Sequence, residues 1–218
     1  MTRSKLLVTC AFAAILVFAG APAWADSIPV QNASFEITNS LDQPFSGGPY
    51  NLGPIPDWTT TGIAGSWQPN SLEFSSIPGG STIAITNGGT ISQILTGNSV
   101  LANTAYTLSV FVGDRLDGVN GNYTIALDAG STTLCTFSGN SASIKPGTFV
   151  NETCTYQSGS VVPVGDLSVV FSSQGTQLDI DKVSVATPEP GSLALLTAGI
   201  GFLFFVARRR KLQLPVIA

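Results

Sequence analysis

The sequence predicts an all-β domain, an antiparallel two-sheet β-sandwich of jelly-roll type, on three observations. Helical periodicity is almost missing between residues 26 and 187. Short β-favouring runs recur there instead, punctuated by Gly, Asn, Asp and Pro. Within several runs apolar and polar residues alternate, as strands with one buried face require.

Eight runs are predicted as strands: Ser81–Thr86, Thr90–Leu95, Ala105–Val112, Tyr123–Leu127, Thr132–Phe137, Phe149–Tyr156, Leu167–Ser172 and Gln177–Val185. Asn87-Gly88 between the first two reads as a hairpin, because both residues tolerate the positive φ of a tight turn. Asp128-Ala129-Gly130-Ser131 reads as a second turn. Tyr106, Leu108, Val110 and Val112 share one face, as do Tyr123, Ile125 and Leu127, and Leu167, Val169 and Phe171. These are the predicted core. In the last run Leu178 and Ile180 take one parity and Val183 and Val185 the other, the phase change of a β-bulge. Asp179 and Asp181 straddle that switch. Ser27 to Ser76 is less regular, with loop-forming Gly47-Gly48-Pro49 and Gly53-Pro54-Ile55-Pro56, and with Trp58 and Trp67 on either side of Thr59–Gly65.

The two ends are processing segments rather than parts of that fold. Arg3 and Lys5 precede the apolar run Leu6–Gly20, and Ala23-Trp24-Ala25 has the small-residue spacing that a signal peptidase accepts. Residues 1–25 are therefore expected to be a signal helix, cut after Ala25. At the other end Pro188-Glu189-Pro190 precedes an apolar stretch over 192–207, the basic cluster 208–211 and a cytoplasmic extension 212–218. Sixteen helical residues span about 24 Å, short of the roughly 30 Å of a bilayer core. The basic cluster keeps its end in the cytoplasm.

Composition excludes several function classes. The segment 26–187 holds twelve acids and only Arg115, Lys145 and Lys182 as bases, a net charge of −9. Such a surface repels phosphate backbones, so nucleic acid is not an expected partner. Histidine is absent, which removes Ser-His-Asp and Cys-His catalysis and the usual zinc ligand. Once Cys10 leaves with the signal segment, Cys135 and Cys154 remain as an even pair in an oxidising compartment, and a disulfide between them is expected.

Pro188-Glu189-Pro190, the apolar stretch and the Arg-rich cluster, in that order, resemble the PEP-CTERM sorting signal of exopolysaccharide-producing Gram-negative bacteria. The resemblance implies an exosortase that recognises Pro188, Glu189 and Pro190 in an inner-membrane intermediate facing the periplasm. The domain would then pass to the cell surface or extracellular matrix. A second resemblance lies in Asn32-Ala33-Ser34-Phe35-Glu36, Ile55-Pro56-Asp57-Trp58 and Leu178-Asp179-Ile180-Asp181-Lys182-Val183, which look like parts of galactose-binding-like carbohydrate-binding jelly rolls. It implies that the first and last strands meet, with Glu36 and Asp181 as ligands of a structural calcium; Lys182 stands where such modules often carry Asn or Asp. No other cofactor is expected.

Trp67 is the candidate sugar-stacking residue, since an aromatic face suits the C–H side of a pyranose; for it and for Trp58 a place in the core is the competing reading. Asp114, Arg115 and Asp117 are either a polar binding loop or a solvated turn. Glu36, Glu73 and Glu152 supply carboxylates for glycoside hydrolysis, but nothing in their spacing sets two across a cleft. The expected function is a non-catalytic exported surface or biofilm-matrix protein that binds extracellular polysaccharide. A small surface glycoside hydrolase and a purely structural, membrane-anchored protein are the alternatives.

Overall fold

A computed structural model describes residues 25–188 together with Gly199 and Gly201. Residues 1–24 of the expected signal segment, Glu189 and Pro190 of the sorting motif, and most of the apolar and basic tail lie outside the described residues, while Ala25 opens the first strand. Among the described residues no helix is long and apolar enough to cross a membrane.

In the compact unit Ser27–Thr187 the regular structure is nearly all strand: β1 (Ala25–Ile28), β2 (Tyr50–Leu52), β3 (Thr59–Trp67), β4 (Ile83–Ser99), β5 (Ala105–Asp114), β6 (Asn122–Ala129), β7 (Thr132–Asn140), β8 (Thr148–Gln157), β9 (Asp166–Ser173) and β10 (Gln177–Pro188). A single 3₁₀ turn, Ser141–Ser143, interrupts them. Hydrogen bonding runs β7-β6-β9-β4-β10-β5-β8, with β1 on β10, and β2 on β3 on β4. All registered pairs are antiparallel. The all-β jelly-roll prediction holds.

The predicted hairpin at Asn87-Gly88 does not form. Ser81–Thr86 and Thr90–Leu95 belong to one 17-residue strand, β4. Its first part pairs with β10 (Thr86 with Leu178, Ala84 with Ile180) and its second with β9 (Ile91 with Phe171, Gln93 with Val169). The Asn-Gly signal marks the place where β4 passes from one layer to the other. Gly88 takes φ +68°, and β3 shifts register opposite it, between Thr61 and Ile63. A Cβ on Gly89 would lie 2.2 Å from the Thr61 carbonyl oxygen, so the close approach of β3 requires glycine there. A positive φ is thus as compatible with a bulge as with a turn; strand pairing across the domain decides between them.

The alternation predicted for β5, β6 and β9 is observed. Leu108, Val110, Val112, Ile125, Leu127, Leu167, Val169 and Phe171 are fully buried in one core, with Leu178, Ile180 and Val185 of β10. The phase change in β10 is also present: its register with β5 shifts between Asp181 and Ser184, and Lys182 takes φ +49°. Through this bulge Leu178, Ile180, Val183 and Val185 all face the core. Trp58 is core, packed against Phe35 and Phe171 with ring centroids 5.1 and 5.7 Å away, and its indole N–H donates to the Asn32 carbonyl.

Cys135 and Cys154 form a disulfide. It joins β7 and β8, the two end strands of the hydrogen-bonded order, and so links the outer edges of the layers. Closing a 19-residue separation contributes about 3 kcal/mol in the chain-entropy account.

Candidate functional site

The core-facing parity of β10 decides what the other face carries. Because Leu178 and Ile180 point inward, Gln177 and Asp179 point outward, beside Asn87 and Ile85 of β4. Trp67, Phe74, Ile83 and Ile85 form a second, smaller apolar cluster on this outer face. Trp67 is fixed by its indole N–H, which donates to the Gly48 carbonyl at 3.1 Å. Gly48 takes φ +122°, and a Cβ there would lie 2.0 Å from the Gln68 carbonyl oxygen; the predicted Gly47-Gly48 loop is needed to bring the 43–50 segment over the sheet.

These elements enclose an open cleft of about 220 Å³, lined by Phe45, Tyr50, Leu52, Trp67, Ile85, Asn87, Arg115 and Gln177. One wall is aromatic. Phe45 keeps 41% of its surface exposed, whereas Trp67 keeps only 2%. Trp67 therefore lines the cleft as fixed wall, with the Arg115 guanidinium carbon 4.8 Å from its ring centroid and 5.4 Å from that of Phe45. Such stacking suits the weakly hydrated guanidinium.

Arg115 organises the polar floor. Its Nη1 donates to Gln177 Oε1 at 3.1 Å and its Nη2 to Asp117 Oδ2, while Glu73 Oε2 lies 3.5 Å from Nε, an ion pair too long for a good hydrogen bond. Gln177 Nε2 donates in turn to Asp179 Oδ1 at 2.6 Å. Asp179 is 1% exposed. Burial pushes its carboxyl up to about 7 against the pull of Gln177 and Arg115, while Asp117 and Asp114 push it further up. Asp114 is also raised, first by burial and then by Asp117. Burial thus favours the neutral forms of Asp179 and Asp114 beneath a cleft that presents a cation, two amides and aromatic rings.

The residues expected to hold calcium lie in a different place. Glu36 Oε1 accepts the backbone N–H groups of Ser81 at 2.9 Å and Thr82 at 2.7 Å; Asp181 accepts those of Gly79 at 2.7 Å and Lys182 at 2.6 Å. Both carboxylates thus meet at the 79–82 loop. Asp181 is fully buried and held up to about 6, chiefly by burial, with Glu36 adding to the rise. Among the described residues no group of three His, Cys, Asp or Glu side chains gathers around a common point.

The other candidate residues are dispersed. Glu152 accepts the Tyr123 hydroxyl at 3.2 Å, Glu73 faces Arg115 and Glu36 holds the 79–82 loop, so no two of the three face each other. Arg115 belongs to the cleft and not to a solvated turn. Phe45, Tyr50 and Gln177 carry no site signal in the sequence, and Asn87 reads there only as a turn residue. The available signal was the parity of β10, which sends Gln177, Asp179 and Asp181 to the face opposite the core. Pro188 closes β10, so the sorting motif begins where the domain's last strand ends.

No curated protein matches the chain. The tail, residues 186–211, matches the PEP-CTERM protein-sorting motif. Among solved structures, the Stig cyclase Fisc from Fischerella sp. TAU, in complex with a pyrrolidinylidene-indole, superposes with a TM-score of 0.63 at 23% identity, covering 75% of this chain and 98% of that one. Another cyclase structure from Fischerella sp. TAU gives 0.62 at 24%, covering 77% and 100%. The CBM22-1 xylan-binding domain of Paenibacillus barcinonensis Xyn10C gives 0.50 at 14%, covering 78% and 99%. At these identities the likeness is one of fold. The match that carries family membership spans residues 26–186, nearly the whole β domain, and by it the chain belongs to the HpiC1-like family, described as HpiC1 cyclase.

Proposed function

We propose that this protein is sorted by an exosortase to the cell surface or biofilm matrix, where it holds extracellular polysaccharide in the Phe45–Arg115–Gln177 cleft without acting on it chemically. The observation that supports this reading is the cleft itself: an exposed ring and fixed hydrogen-bonding groups on the outer face of a jelly-roll sheet. Phe45 offers an apolar face for a sugar ring, while Asn87, Gln177 and Arg115 supply donors and acceptors for hydroxyl groups. At about 220 Å³ the cleft takes one ring-sized group, and its open sides let a polymer continue past it. The test is affinity electrophoresis of the secreted protein in gels containing xylan or the host exopolysaccharide. Phe45→Ala and Asn87→Ala are each expected to weaken retention by about tenfold, the scale of losing one stacking or bidentate contact. Unchanged retention in both variants would sink the cleft as the site.

A second, enzymatic reading is favoured by the family match and by Asp179, a carboxyl whose proton affinity burial raises beside the cleft. It is the weaker one. Asp179 is buried, already accepts a hydrogen bond from Gln177, and does not line the cavity. Incubating the protein with the retained polysaccharide tests the hydrolytic form of that reading: under binding alone, no new reducing ends accumulate.

A structural calcium ion at Glu36 and Asp181 belongs to the same proposal. Two anionic oxygens at one loop suit a hard cation, and a cation would relieve their mutual repulsion. Main-chain carbonyls and water would have to complete its shell. Calcium is therefore expected to raise the melting temperature of the secreted protein, chelator to lower it, and Asp181→Asn to abolish the response. A melting temperature indifferent to chelator removes the metal from the proposal.

A further inference from the structure

The strand register gathers several loops at the end of the sandwich from which the chain leaves for its tail. Ala186 of β10 pairs with Thr107, and Ala105 at the start of β5 pairs with Gln157 at the end of β8. The 158–165 loop begins there and returns at Asp166, which pairs with Ser99. The 100–104 loop is tied to it: Asn103 N–H donates to the Gly159 carbonyl at 3.0 Å, and Ser158 Oγ donates to the Leu101 carbonyl at 2.6 Å. Ser158 Oγ also accepts the Thr104 N–H at 2.8 Å.

This stitched pair of loops presents Leu101, Val161 and Val164 to solvent at 64, 88 and 92% exposure. Single exposed aliphatic residues are ordinary on a protein surface. Here three stand on two linked loops, and neither residues 100–106 nor residues 158–165 contain a charged side chain. Only residues 189–191 separate the end of β10 from the apolar stretch over 192–207. Fully extended, three residues reach about 10 Å.

We infer that, in the uncleaved intermediate, this end of the domain docks on the bilayer, with Leu101, Val161 and Val164 seated in the interfacial region. The inference rests on the membrane-anchored stage implied by the sorting tail. The short tether sets which end of the sandwich faces the lipid, and uncharged aliphatic loop tips suit the boundary between headgroups and acyl chains. Cleavage removes the tether, and three aliphatic side chains alone give only weak, reversible binding, so docking ends with release. The domain's net charge of −9 also opposes lasting contact with anionic lipid.

The test uses the full chain in vesicles of phosphatidylethanolamine and phosphatidylglycerol without exosortase, comparing Val164→Trp with Leu116→Trp at the opposite end of the strands. Flotation first reports whether the tail inserts. Brominated acyl chains are then expected to quench the emission added by Val164→Trp about twofold and to leave that of Leu116→Trp unchanged. A chain that floats but shows equal quenching at both sites, or none at Val164→Trp, overturns docking alone. A chain that does not float overturns the anchored stage and docking with it.

Discussion

Replacing Asp179 with Asn is expected to stabilise the protein at pH 8 by about 4 kcal/mol, since each tenfold rise in proton affinity corresponds to about 1.4 kcal/mol. Burial raises this carboxyl from its ordinary value of 3.8 to about 7. An unfolded chain releases the proton near the ordinary value, while the folded protein holds it to about 7. The cost to folding is therefore absent below about pH 4, grows between 4 and 7 and is complete above 7. Asn keeps an oxygen to accept the Gln177 hydrogen bond and carries no charge, so it escapes that cost. At this chain length such a change raises the melting temperature by about 10 °C. Asp181, raised to about 6, remains in the variant and leaves a smaller slope of the same sign between pH 4 and 6. Calorimetry of both proteins at pH 4.5 and pH 8 decides the matter. A variant no more stable than wild type at pH 8, or equally stabilised at both values, would show that Asp179 is ionised without penalty.

Glu189→Ala is expected to stop release of the domain, leaving full-length protein in the inner membrane. Proline fixes φ near −65° and restricts the residue before it, so a Pro-Glu-Pro sequence favours the extended backbone that a protease cleft accepts. Pro188 already stands at the end of β10, so cleavage beside it would remove the tail without cutting into the sheet. Intact-mass analysis of wild-type protein from the medium should find a species that lacks Leu193–Ala218. Finding that stretch still attached, or finding Glu189→Ala released normally, would show that the tail is only an anchor.

The features legible in the amino-acid sequence are those set by local pattern. Alternation in β5, β6 and β9 marks the core faces because a strand must send successive side chains to opposite sides. The phase change between Ile180 and Val183 marks the bulge for the same reason. Two cysteines in an exported, histidine-free domain mark the disulfide. The less regular 27–76 segment hides β2 and β3, because their edges are stabilised by β4 and by loops rather than by their own alternation. Thr59–Trp67 buries its last four residues and exposes most of the earlier ones, a pattern with no period to read.

The sequence by itself determined the fold class, the sorting tail, the pairing of the two cysteines and which residues of β10 face the core, since each follows from the order of neighbours along the chain. Only the tertiary structure decided that Asn87-Gly88 bends one strand rather than turning between two, because a positive φ serves either arrangement until a partner strand is present. It likewise decided that Arg115 stacks on Trp67, that Gln177 bridges Arg115 to Asp179, and that Glu36 and Asp181 meet at the 79–82 loop. Those contacts join residues up to 102 positions apart. Their geometry depends on antiparallel register across β3, β4, β10 and β5, which no single strand encodes.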